Sequence, residues 1–102
     1  MLYRKCRGET FLPASVADYY FEIDPQSGMV TRQVETAAGQ FLHGRWNGRE
    51  LVGSISDQFF SELELMDPKL VHVSRKEFES VWTRALDAKR NEDDDNSPEK
   101  VD

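Results

Sequence analysis

Phe78, Val81, Trp82, Ala85 and Leu86 recur at i, i+3, i+4, i+7 and i+8, the spacing of one apolar stripe on a helix. Ser74 stands where an N-cap belongs, and Glu77 three residues later completes a capping box. Val73 and Phe78 occupy the two positions of a hydrophobic staple, and Lys89 and Arg90 fall where the helix dipole favours cations. The pattern predicts a helix over 75–90.

Upstream the period changes to two. Tyr19, Phe21 and Ile23 alternate with Asp18, Tyr20 and Glu22, as in a half-buried strand. Asp24-Pro25-Gln26-Ser27-Gly28 then supplies a turn. Setting Asp24 against Met29 pairs Ile23 with Val30 and Tyr19 with Val34, which gathers the apolar residues on one face. Ala37-Ala38-Gly39 supports a second tight loop, and Asn47-Gly48 reads as a two-residue hairpin joining 41–46 to 49–55. In that turn Trp46 faces Arg49, and Arg45 faces Glu50.

Weaker signals complete the outline. Leu2 to Arg7 reads as an edge strand guarded by Arg4, Lys5 and Arg7. Ser56-Asp57 is positioned to cap a short helix carrying Phe59, Phe60, Leu63 and Met66, stopped by Asp67-Pro68. Residues 70–73 form an extended link. The expected fold is α+β: an antiparallel β-meander of four to five strands, with a C-terminal amphipathic helix packed on one face and a short extra helix.

Charge sharpens the domain boundary. The 102 residues carry 13 Lys or Arg against 19 Asp or Glu, a net of -6. Residues 91–102 hold six of the acids and a single lysine, and their only apolar residue is Val101. Such a segment buries too little to offset its ordering entropy. Residues 1–90 are therefore expected as a single α+β domain, nearly neutral, and residues 91–102 as a disordered acidic tail. The length excludes separate cofactor and substrate domains, and the negative balance argues against sequence-independent nucleic-acid binding. One cysteine, Cys6, permits no intrachain disulfide, and no run of about 18 apolar residues spans a membrane. A cytoplasmic protein is expected, without membrane partners.

No motif for metal, cofactor or phosphate is present. His43 and His72 stand far apart, Asp93-Asp94-Asp95 lacks the glycine turn of a calcium loop, and neither GxxxxGK[ST] nor GxGxxG occurs. In the registers above, Gln33 lies beside His43, Thr31 beside Arg45, Glu35 near Phe41 and Glu50 opposite Arg45. One use of such a surface is acid–base chemistry by His43 and Glu35, as in a small metal-independent ribonuclease. The other is protein recognition. Tyr20, Phe41, His43, Arg45 and Trp46 mix aromatics with arginine, the types that dominate interface hot spots, and Phe41 would stand exposed. With Gln33, Glu35 and Glu50 they make the candidate partner-binding set. Arg32, between Val30 and Val34, points inward by strict alternation. It needs either a bulge that turns it out or an acid within reach.

The segments Tyr20-Phe21-Glu22-Ile23-Asp24, Thr31-Arg32-Gln33-Val34-Glu35 with Gly39, and Ser74-Arg75-Lys76-Glu77-Phe78-Glu79-Ser80-Val81-Trp82 resemble a family of small bacterial proteins. That family is similar to the immunity proteins of contact-dependent and polymorphic toxin systems. The similarity spans 17–82 and is weak over 43–70. It implies a protein that occludes a cognate bacterial toxin in the cytoplasm, and it brings no catalytic residues. A close variant is a small inhibitor of another enzyme, such as a phage-encoded anti-defence protein.

Overall fold

The computed structural model describes residues 1–10, 12–46, 51–53 and 59–95. Four consecutive antiparallel pairings order most of the chain. Strand β1 (Leu2–Gly8) pairs with β2 (Ala17–Ile23), which pairs with β3 (Val30–Ala37) and so on through β4 (Gln40–Trp46) to β5 (Leu51–Gly53). A two-residue strand, β6 (Val71–His72), adds to the outer side of β1, giving the spatial order β5-β4-β3-β2-β1-β6. Every pairing is antiparallel. Helix α1 (Glu62–Leu65) precedes β6, and α2 (Arg75–Asp95) follows it. The fold is α+β, as the sequence pattern predicts, with the expected link at 70–73 contributing the sixth strand.

The β2–β3 register departs from expectation at one residue. Ile23 pairs with Val30, but Glu22 pairs with Arg32, so Thr31 is an extra residue in β3, a β-bulge. From there Tyr20 faces Val34 and Tyr19 faces Glu35, one step from the pairing that gathers all apolar residues together. The bulge puts Val30 and Val34 on opposite faces. On one face Tyr20 and Val34 form a core with Phe78, Val81, Trp82 and Ala85 of α2, joined by Tyr3 and Phe41. On the other, Phe21, Ile23, Val30 and Leu70 form a second core with Leu2, Cys6, Tyr19, Phe60 and Leu65. The sheet is thus covered on both sides, which is why β2 carries large apolar residues at successive positions.

Two connections also differ. Trp46 pairs with Leu51 and Arg45 with Val52, so four residues rather than two join β4 to β5. The expected pairings Trp46–Arg49 and Arg45–Glu50 do not form, and residues 47–50 lie outside the described residues. Ala37 pairs with Gln40 across Ala38-Gly39, whose φ angles of 52° and 78° are those of a type I′ turn. The cap of α1 is Ser61, not the expected Ser56-Asp57, which lies outside the described residues. Ser61 accepts from the Glu64 N–H at 3.1 Å, and the Glu64 carboxylate accepts from the Ser61 N–H at 3.1 Å. Phe59 and Phe60 precede the helix, with Phe59 bridged to Met29 and the Phe60 N–H donating to the Gly28 carbonyl at 2.8 Å.

Helix α2 begins as expected: the Ser74 hydroxyl accepts from the Glu77 N–H at 3.0 Å. It continues through Asn91–Asp95, five residues beyond the end suggested by Lys89 and Arg90 and into the stretch read as an irregular tail. Extending a helix needs no new nucleus, and Asn, Asp and Glu each cost only a few tenths of a kcal/mol there, up to ~0.7. Residues 96–102 lie outside the described residues.

Candidate functional site

The two faces position polar side chains very differently. On the α2 face, Arg32 projects toward the helix and is clamped. Its Nε and Nη2 donate to the two carboxylate oxygens of Glu22 at 3.0 and 2.6 Å, and Nη1 and Nη2 donate to Glu79 of α2. The guanidinium lies 5.0 Å from the Phe78 ring centroid and 5.2 Å from that of Trp82. Glu22 also accepts from the Thr31 hydroxyl at 2.8 Å and the Tyr3 hydroxyl at 3.1 Å. Burial alone would raise the Glu22 carboxyl, but the hydrogen bonds from Arg32, Thr31 and Tyr3 outweigh it and hold the group below its ordinary range. Glu79 is lowered by the same arginine. Of the two routes foreseen for Arg32 the acid operates: a bulge is present, but it aims the side chain at α2 and not outward, and two acids receive it. With every arm engaged, the cluster fastens α2 to the sheet.

The sequence-predicted partner-binding residues do not share a surface. Tyr20 is buried beneath α2, and Phe41 packs against the same core instead of standing exposed. His43 pairs with Val34, not Gln33, and its ring meets Trp82 edge-on at 5.4 Å between centroids. Burial, then the charge of Lys89, pushes its imidazole below the ordinary value. Arg45 is exposed, opposite Arg32. Gln33 and Glu35 are buried on the other face, where Glu35 accepts from the Thr10 hydroxyl and pairs across the ladder with Leu42. Trp46 belongs to β4 by its backbone. Glu50 lies outside the described residues. His43 and Glu35 therefore stand on opposite sides of the sheet, and the acid–base pair imagined for a ribonuclease is not assembled.

The second face holds a shallow cleft of about 210 Å³ lined by Cys6, Gly8, Glu9, Tyr19 and Phe21. Burial, reinforced by Asp67 and Asp18, pushes the Cys6 thiol up, away from the reactive thiolate. The Tyr19 hydroxyl donates to the Glu9 carbonyl. Among the described residues no group of His, Cys, Asp and Glu could hold a metal ion, and no helix is long and apolar enough to cross a membrane.

The segment 59–70 is two-sided. Phe60, Leu65 and Leu70 turn into the second core, whereas Phe59, Leu63 and Met66 turn outward, exposed by 59, 81 and 76%. Leu63 and Met66, three residues apart, share one side of the α1 turn, with Glu62 and Glu64 to either side and Asp67 following. The segment is fixed by the Met29–Phe59 bridge, the Phe60–Gly28 hydrogen bond and the reciprocal cap of α1. A segment serving only as a lid would be polar outside. The apolar residues were legible in the sequence as one short-helix face, but their outward direction follows from Ser61, rather than Ser56-Asp57, setting the helix start.

Comparison of the chain with family models, with curated proteins and with solved structures gave no match.

Proposed function

We propose that the chain is a protein-binding module that neutralises its partner by occlusion, in the manner of an immunity protein acting on a cognate toxin in the cytoplasm. The observation that carries this reading is the rigidly held outward row Phe59, Leu63 and Met66. Aromatic and Met side chains supply contact area and adapt to a partner's shape. Ordering costs on this side of the interface are small, because the backbone of the segment is already pinned. The recognition surface thus moves from the sheet face, which α2 covers, to α1 and its flanks.

The test is affinity capture from the cells that make the protein, comparing the native chain with a Leu63→Ser/Met66→Ser variant. One stoichiometric protein partner, lost from the variant but retained by a Val16→Ser control, is the expected result. Equal recovery of that partner by both forms would place the contact elsewhere. Toxin neutralisation is read by co-expressing the captured partner: growth should be rescued by the native chain and not by the variant.

A further inference from the structure

We infer that the partner surface received by α1 is cationic with an apolar centre, an amphipathic basic helix or its equivalent; this rests on the docking role proposed above and names the partner's chemistry. Leu63 and Met66 form the apolar ridge, and the charged residues next to them in the chain, Glu62, Glu64 and Asp67, are exposed and negative. From Leu51 to Pro68 the chain contains no Lys or Arg, and Lys69 is the first base after the ridge. The remainder of 1–90 holds twelve bases and nine acids, so this one-sign rim is local.

Two acids of the rim are fixed in position. Glu64 has its carboxylate on the Ser61 N–H, and Asp67 accepts from the Lys69 N–H at 2.9 Å, so both acids are held in place beside the ridge. An acidic or neutral apolar partner would have to desolvate these carboxylates without compensation, whereas Lys or Arg flanking an apolar stripe would pair with them. The same rim repels anionic surfaces, including nucleic acid and acidic membranes. An unpartnered ridge of this kind discriminates by its borders more than by its centre.

The experiment uses the full chain and three synthetic probes: a helix-forming peptide with Leu along one stripe and Lys elsewhere, its twin with Glu for Lys, and a scrambled Lys/Leu peptide of equal charge. Titration calorimetry should show binding of the first probe, at least tenfold weaker binding of the scrambled peptide and none of the Glu twin. Added salt should weaken the Lys probe. Glu62→Gln/Asp67→Asn, which leaves the Glu64 cap and the Asp67 acceptor site intact, should cost about five- to tenfold at low salt. Leu63→Ser/Met66→Ser should abolish specific binding while leaving the circular dichroism spectrum unchanged, since both side chains are exposed. If the serine variant loses binding but the Glu twin binds as well as the Lys probe, the charge inference is overturned and the docking role stands. If the serine variant binds the Lys probe as the native chain does, the docking role itself falls.

Discussion

Gly28 carries a burden that Gly39 does not. Both have positive φ, 76° and 78°, yet a Cβ on Gly28 would sit 2.1 Å from the Phe60 carbonyl oxygen, while one on Gly39 would meet nothing within 4 Å. Gly39→Ala should therefore cost only the ~1–2 kcal/mol of a left-handed alanine. Gly28→Ala should cost clearly more and detach 59–70, read as a larger drop in the urea midpoint together with loss of probe binding. Ala38, at φ 52°, is the complementary case, and Ala38→Asn should stabilise by ~0.5 kcal/mol or more, since asparagine tolerates this conformation. At Arg32, removing the guanidinium strands Glu22, which is only 8% exposed. Arg32→Ala should cost roughly 3 kcal/mol, the lower end for a broken buried pair because Glu79 is partly solvated. Glu22→Leu/Arg32→Met should recover most of that loss. Acid should act in two windows. His43 has its native value pushed below its ordinary 6.5, so the unfolded chain binds that proton more readily and stability falls as pH drops from about 6.5. Glu22 and Glu79 are lowered below their ordinary 4.5, so their contribution is present above that value and is lost as pH falls further. His43→Gln should flatten the first window in a pH series of melting curves and leave the second.

At the scale of elements, two one-residue shifts, the bulge at Thr31 and the tight turn at Ala38-Gly39, decide what the sequence could disclose. Helix α2 was legible because Phe78, Val81, Trp82 and Ala85 all face one wall, and a 3.6-residue period survives small errors of alignment. Strand β3 was not, because its period is two, and a single extra residue exchanges the faces of everything on one side of it. The β3–β4 ladder differs by one residue at its turn: closing it on Ala38-Gly39 pairs Val34 with His43 and Thr36 with Phe41, so Phe41 packs inside and Gln33 and Glu35 lie on the face opposite His43. Val30 and Val34 invited a common face, which the bulge at Thr31 denies them. Arg32 was the one signal of the error, an arginine that strict alternation would have left among valines. The α1 cap was similarly readable, since Ser61 and Glu64 spell a capping box, but Ser56-Asp57 offered a competing start. Deleting Thr31 should leave the faces of Val30, Arg32 and Val34 unchanged and cost about 1–2 kcal/mol in lost hydroxyl hydrogen bonds. Deleting Gln33 should invert the face of one flank and abolish cooperative unfolding in urea.

For the whole molecule, charge and fold are largely separate. Five of the six net negative charges belong to residues 91–102, beyond the last helix residues seated in the core, Trp82 and Ala85. The sequence places four acids, Glu92 to Asp95, in the last turn of α2, where the helix dipole disfavours negative charge. Truncation after Arg90 should leave the melting temperature within about a degree or two and preserve affinity for the Lys probe, because the rim of α1 is intact. A truncation that halved the affinity would assign the tail a part in attraction at long range.

The sheet with its two cores also has a signature in time. Strand β2 has α2 above it and 59–70 below it, with β1 and β3 on its flanks. Its amides have no route to solvent short of complete unfolding, so deuterium should enter Tyr20–Ile23 at the global rate. Strand β6, two exposed residues held by β1 alone, should label earlier by local opening. Under conditions where a bound partner slows exchange in 59–67 without changing β2, the protein would be acting as a fixed frame that lends its rigidity to one small, separately breathing edge.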